Sequence, residues 1–267
     1  MQIIFIGGGN MAEAIFAKLE QLKLDIIVVQ RNMEKRTRLA IKYPFIRCIS
    51  VLDFTPEEDD ILVLAVKPQD AKQACSALPD IRCTIVSVMA GVSIGTINRW
   101  LNNPKIARVM ANTPALIGSG ATGIHFSPEV ENAHKKIIKS IFSTIGKNYI
   151  LKDENAVDKM TAIAASAPAY LFYFAESMID VAIKQFQFSE AKAKAITLQV
   201  LKGSIDMIEN NPELSIKQLR TQVTSKNGTT EQAINVFIRA NLPEIIKQAE
   251  IACYNRAKEL GNNISKE

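Results

Sequence analysis

Along the first half of the chain, short apolar runs alternate with stretches whose apolar positions recur every three or four residues. Gln2–Ile6 (QIIFI) reads as a buried strand, and Met11, Ile15, Leu19 and Leu22 follow it at helical spacing. Apolar runs at 25–30, 60–67, 83–89, 105–114, 120–126 and 147–151 predict further strands, with helices over 33–42 and 129–145. Continuous β-branched runs separated by helices predict a parallel sheet covered on both faces.

Beyond Asp153 the pattern changes. Val157, Met160, Ile163, Leu171, Phe174, Met178 and Ala182 keep helical register, as do Ala191, Ala195, Leu198, Leu201, Ile205 and Ile208, and no strand-like alternation appears. Asn210-Asn211-Pro212 is a helix stop. The expected fold is therefore an α/β domain over residues 1–152 followed by an all-α domain over 153–267. The second domain carries apolar residues on more than one helix face, which predicts a partner surface and a homo-oligomer formed through it.

Composition narrows the classes. Hydrophobic residues make up 48% of the 267, enough for a sizeable core and too many for a disordered chain. Lys+Arg exceeds Asp+Glu by 32 to 27, a net charge of +5 spread along the chain with no basic block, so no nucleic-acid partner is expected. Four cysteines without CxxC spacing predict reduced thiols and a cytoplasmic protein. His125 and His134 have no ligand partner nearby in sequence, so no metal is expected, and His134 is placed on an exposed helix face. The first apolar run ends at Gly7 with no basic region before it, unlike a signal peptide, and no run of about 18 apolar residues predicts a membrane span.

The candidate chemistry begins at Gly7-Gly8-Gly9-Asn10-Met11-Ala12, between the first strand and the first helix. Gly7-x-Gly9-x-x-Ala12 in that context fits a Rossmann-type dinucleotide fingerprint. Gly7 permits the tight turn, Gly9 lets backbone amides approach a pyrophosphate, and Ala12 allows close helix–strand packing. An NAD site usually has a carboxylate at the end of the second strand. Here that end reads Val29-Gln30-Arg31-Asn32, where Arg31 could pair with a 2′-phosphate, which favours NADP(H) over NAD(H). Val66-Lys67 ends the third predicted strand and Ala90-Gly91 follows the fourth, each at the strand end where ligands gather. For Lys67 and Ala90 an ordinary loop role stands equally open.

Taken together, several blocks resemble the pyrroline-5-carboxylate reductase family: FIGGGNMAEAI (5–15), LAVKPQ (64–69), SVMAGVSI (87–94), RVMANTPALIGSGATG (108–123), DKMTAIAASAPAY (158–170) and LRTQVTSKNGTTEQAI (219–234). They occur in family order and cover most of the chain. The resemblance implies an N-terminal Rossmann-type domain binding NADP, with Gly7, Gly8, Gly9, Asn10, Met11, Arg31, Val66, Lys67 and Ala90 at the cofactor. It also implies a helical C-terminal domain that forms a dimer, in some members assembled into larger rings. The implied activity is NAD(P)H-dependent reduction of 1-pyrroline-5-carboxylate to L-proline. Ser225 and Thr230 match the family's substrate-side hydroxyls, with Thr230 at the substrate nitrogen, and the backbone of Asn227, Gly228 and Thr229 is expected to hold the substrate carboxylate. Read without the resemblance, Thr229-Thr230 would be helix caps.

The chain departs from the family's pattern. Ala165 and Ala167 stand in glycine places, Lys226-Asn227 replaces Pro-Gly, and Ala111 replaces a proline. These changes leave two other readings open: an NADPH-dependent reductase of another cyclic imine, or a weakly catalytic nucleotide-binding paralogue. A β-hydroxyacid dehydrogenase would be expected to carry a lysine that the 161–175 stretch lacks.

Overall fold

The computed structural model describes residues 1–266. Eight strands form one sheet: β1 (Gln2–Ile6), β2 (Asp25–Val29), β3 (Ile46–Ile49), β4 (Ile61–Leu64), β5 (Thr84–Ser87), β6 (Ile106–Met110), β7 (Gly120–Phe126) and β8 (Gly146–Ile150). Their spatial order is β3-β2-β1-β4-β5-β6-β7-β8. Period-two alternation divides each central strand between two cores. Ile3 and Phe5 join one apolar cluster with Ile26, Val28 and Val63, whereas Ile4 and Ile6 join the other with Ile27, Leu62 and Leu64. Covering one face are α1 (Asn10–Phe16), α2 (Met33–Lys42) and α5 (Asn132–Ser143), and the other takes α3 (Ala71–Ser76) and α4 (Ile94–Leu101).

Two features differ from the sequence reading of the sheet. The β6–β7 pair is antiparallel. Only a short 3₁₀ turn, Thr113–Ile117, lies between them, too little chain for a parallel crossover. The short edge strand β3 was not foreseen: of its four residues only Ile46 is buried, so it lacks the apolar run of its neighbours. His134 is a further correction. It is buried rather than exposed, on the inward face of α5 with Ile138, Ile141 and Phe142, at spacings of four, seven and eight. Its Nδ1 lies 2.6 Å from Thr84 Oγ1 on β5, so the pair satisfies itself inside the core.

Among the described residues six α-helices follow β8: α6 (Glu154–Met160), α7 (Ala167–Lys184), α8 (Glu190–Glu209), α9 (Ile216–Gln222), α10 (Thr229–Arg239) and α11 (Leu242–Lys266). Strands give way to helices between β8 and α6. Compactness divides the chain differently: the first unit comprises Met1–Pro168 together with the chain from Ile251 onward, the second Ala169–Glu250. The reason α6 stays with the sheet is a buried arginine. Arg108, 2% exposed on β6, donates to Glu154 (3.2 Å) and Asp158 (2.5 Å), both on α6. Glu154 also accepts from the Ile94 N–H at the start of α4 (2.8 Å).

The second unit has almost no core of its own. Among its described residues only Ala193, Thr197 and Leu219 are buried, while Leu171, Phe172, Tyr173 and Ile205 are more than half exposed. Across the boundary of the two units, the helical run Glu154–Lys184 contains an 18-residue window of mean hydropathy 1.2, long and apolar enough by length and composition to cross a membrane, which the sequence reading did not anticipate.

Candidate nucleotide and substrate sites

The three glycines of the β1–α1 turn do different things. Gly7 has φ of +100° and donates its N–H to Val29 O (3.0 Å), and a Cβ there would sit 2.7 Å from the Ala65 carbonyl oxygen. Its glycine is required by the fold. At Gly8 a Cβ would meet the tip of Leu39, 2.7 Å away. Gly9 is different: φ is −80°, ψ is 179°, and nothing lies within 4 Å of where its Cβ would be. The protein places no demand on that position, so the vacant volume is available to something from outside. Gly9 caps α1 without a side-chain bond, and Asn10 and Met11 open the helix. Ala12 is buried against the first core cluster, as expected for the fingerprint.

Gly7, Gly8 and Gly9 line a cleft of about 410 Å³ at the carboxyl ends of β1, β2 and β4, where strand order reverses between β1 and β4. One end is apolar, formed by Val51, Leu52, Ala74 and Leu78; Val66 and Lys67 line the wall after β4. Arg31, Lys35 and Lys67 supply its cations, and among the described residues none of the three is paired with a carboxylate. The turn that presents them is tightly held. Gln30 Oε1 accepts from Asn32 N–H (3.1 Å), Asn32 Oδ1 caps Lys35 N–H (2.9 Å), and Arg36 Nη1 donates to the Gln30 carbonyl (3.0 Å). The sequence reading missed Lys35, which stands four residues after Arg31 on the first turn of α2, and the 50–52 wall, which follows the unforeseen β3.

Next to the glycine turn, Glu13 on α1 ties this helix to the region of α2. It accepts from Arg38 (2.7 Å), Lys42 (2.9 Å) and the Tyr43 hydroxyl (2.9 Å). The Arg38 bond above all, then the Lys42 and Tyr43 bonds, lowers its pKa to about 2, against an opposing desolvation. A carboxylate with a depressed folded pKa contributes stability above its unfolded value of 4.5, lost as pH falls towards 2. Urea midpoints measured from pH 6 down to pH 2 should therefore fall less steeply below about pH 4.5 in Glu13→Gln than in the natural chain. Equal slopes would show that the network adds nothing.

Past β5, Ala90 packs half-buried against the small cluster of Met110, Val157 and Met160, with Ala164 and Ala165 beside it. Ala165 closes a π-helical stretch, Thr161–Ala165, and Ala167 opens α7. Both substituted alanines thus lie in helical backbone, where alanine is favourable. Asn112 bridges this stretch to β7, donating to Ala164 O (3.2 Å) and accepting from Ala121 N–H (2.9 Å). Ala111 is buried in the core. Among the described residues no three His, Cys, Asp or Glu side chains gather as metal ligands. Burial pushes the Cys75 and Cys83 thiols up to about 11 and about 12, which removes them as nucleophiles.

In the second unit, Ser225–Gly228 forms a turn into α10. Asn227 takes the left-handed conformation (φ 60°) that its side chain tolerates, and Gly228 N–H donates to Ser225 O (3.0 Å). A Cβ on Gly228 would meet Ser225 Oγ, which can rotate away, and would lie 3.0 Å from the Ser225 carbonyl oxygen. The helix cap is Gly228, with no side-chain bond, so Thr229 and Thr230 are not caps. Their hydroxyls make no hydrogen bond among the described residues and both side chains are exposed. Among the described residues the Thr229 and Thr230 N–H groups, at the start of α10, have no hydrogen-bond partner. Asn227 N–H is already taken, by Glu231 Oε2 at 2.8 Å, which removes one expected carboxylate donor.

Residues 154–260 match the family described as pyrroline-5-carboxylate reductase dimerisation. Residues 2–91 match that described as NADP oxidoreductase coenzyme F420-dependent. The chain is 36% identical to the pyrroline-5-carboxylate reductase of Pasteurella multocida over 97% of both chains. Its structure resembles a pyrroline-5-carboxylate reductase from Coxiella burnetii, with TM-score 0.82 and 33% identity over 97% of this chain and 98% of that one. It also resembles a Plasmodium falciparum pyrroline carboxylate reductase with NADP bound, with TM-score 0.84 and 24% identity over 98% of each.

Proposed function

The chain belongs to the pyrroline-5-carboxylate reductase family, and from that premise we propose which of its residues carry the reaction. It is an oxidoreductase that reduces 1-pyrroline-5-carboxylate to L-proline, the last step of proline biosynthesis. The observation that carries our assignment of the cofactor site is Gly9, a glycine the fold does not require, in the wall of a cleft whose three cations, Arg31, Lys35 and Lys67, have no carboxylate partner among the described residues. A reduced nicotinamide dinucleotide, when bound, supplies the hydride. Gly8–Met11 would hold its pyrophosphate on backbone N–H groups, beside Gly7, whose own N–H is bonded to Val29 O; Val66 and Lys67 would line its path, and Ala90 would border the nicotinamide.

NADPH is the proposed preferred form. Arg31 and Lys35 stand together at the end of β2, where a 2′-phosphate would meet both and an unphosphorylated ribose would need neither. Arg31→Ala should raise the KM for NADPH about tenfold, with little change for NADH, and Lys35→Ala should act in the same direction. Measuring NADPH and NADH oxidation with and without 1-pyrroline-5-carboxylate tests both points. Equal responses to the two cofactors would remove Arg31 and Lys35 from phosphate recognition. NADPH binding without substrate-dependent oxidation would favour another imine or a silent paralogue.

For the substrate, the N–H groups of Thr229 and Thr230 at the start of α10 would hold the carboxylate, with Lys226 adding positive charge and Ser225, Asn227 and Gly228 shaping the turn. The Thr230 hydroxyl would hold the ring nitrogen, keeping a proton there while the adjacent carbon becomes tetrahedral. The exposed apolar faces of the second unit are, in this reading, the faces of a homodimer, with larger rings of dimers open, and this accounts for the exposed apolar residues of α7 without a membrane. The compartment proposed is the cytoplasm, in keeping with four free thiols.

A further inference from the structure

The end of α11 rests on the loop after β5, and it does so backbone to backbone. Gly91 has φ of +77°, and a Cβ on it would lie 3.0 Å from Ala257 O and 3.1 Å from Gly261 N. Gly261 has no room for a side chain either: its Cβ would collide with the Gly91 carbonyl oxygen. A glycine inside a helix is unfavourable, so this one sits where the helix is weakened and the contact is closest. The segment is anchored on both sides of the contact. Arg99 on α4 donates to the Ser265 carbonyl (3.2 Å), Ile264 packs against the apolar cluster under β4 and β5, and the Tyr254 hydroxyl donates to Asn155 Oδ1 (2.6 Å). The neighbouring Ala90 packs against the cluster containing Met110 and Met160.

We propose that the final turns of α11 set the position of the Ala90–Gly91 loop, and that Gly261 is a positioning residue for hydride transfer because its bare backbone lets the helix close on that loop. This rests on the reading that the loop borders the nicotinamide. Helix and loop together form one rigid support, and the adenosine end of the cofactor, held by the glycine turn and the Arg31–Lys35 corner, does not depend on it. Misplacing a reacting group by a fraction of an ångström lowers turnover far more than it lowers affinity.

The test uses the full chain with two variants: Gly261→Ala, which forces the contact apart, and Ile264→Ser, which loosens the anchor without adding bulk. Three readouts are compared: steady-state kinetics, affinity for 2′-phosphoadenosine diphosphoribose (which lacks the nicotinamide ring), and hydrogen exchange over residues 88–93. The expected result is turnover about tenfold lower, fragment affinity unchanged, and exchange over 88–93 about tenfold faster. Natural turnover and exchange in both variants would overturn the proposal. So would a parallel loss of fragment affinity and turnover, which marks general destabilisation. If the natural chain does not oxidise NADPH with 1-pyrroline-5-carboxylate, the reaction assignment fails, and with it the positioning role. The exchange data then decide separately whether α11 holds the loop.

Discussion

Thr230→Ala is expected to lower turnover about 100-fold while leaving the NADPH dissociation constant unchanged. The residue occupies the second position of α10, behind the glycine cap, and its hydroxyl has no partner among the described residues. Removing it therefore orphans no group in the protein, and the stability change should stay within about 0.5 kcal/mol. A hydroxyl that does no work for the fold but holds the nitrogen of the reacting bond should show its whole effect in kcat. Thr230→Ser, which keeps the oxygen and deletes only a methyl group, should retain most activity. Single-turnover kinetics and NADPH titration on both variants decide the point. If NADPH affinity falls in step with turnover, or if serine fails as badly as alanine, Thr230 is a structural residue.

The second large effect is expected at Gly9. Gly9→Val should weaken NADPH binding about 100-fold or more, because two methyl groups would occupy the volume through which a pyrophosphate approaches the backbone. The fold should tolerate it. The backbone there is ordinary extended chain, nothing lies within 4 Å of the new Cβ, and the cap change alone should stay within about 1 kcal/mol. Gly7→Ala makes the contrast. Its φ of +100° and the Ala65 carbonyl oxygen 2.7 Å away predict loss of about 1–3 kcal/mol of stability whether or not cofactor is present. Denaturant melts and NADPH titrations of the two variants should separate cleanly. A Gly9→Val protein that binds NADPH normally would mean that the pyrophosphate lies elsewhere.

Much of this protein could be read from local pattern alone. Strands β1, β2 and β7 and helix α2 have the bounds that apolar runs and spacing imply, within a residue; for β1 and β2 the reason is that a parallel strand inside the sheet must be apolar on both faces. The fingerprint at Gly7–Ala12, the absence of a carboxylate after β2 and the blocks that carry the family resemblance are also local, since each depends on residues a few positions apart. Asn227 in a left-handed turn has a local cause too, because asparagine tolerates positive φ.

What the sequence leaves undecided is whatever depends on a distant partner. The inward-facing His134 waits on Thr84 fifty residues away, and α6 stays with the sheet because Arg108 reaches Glu154 and Asp158 across 46 and 50 residues. Gly261 looks like an ordinary weak point in a helix until Gly91 is seen against it. Local pattern states which faces are apolar and which backbones can bend. Only the folded chain decides which of those faces meet, because burial, ion pairing and close approach belong to pairs of residues that the sequence keeps apart.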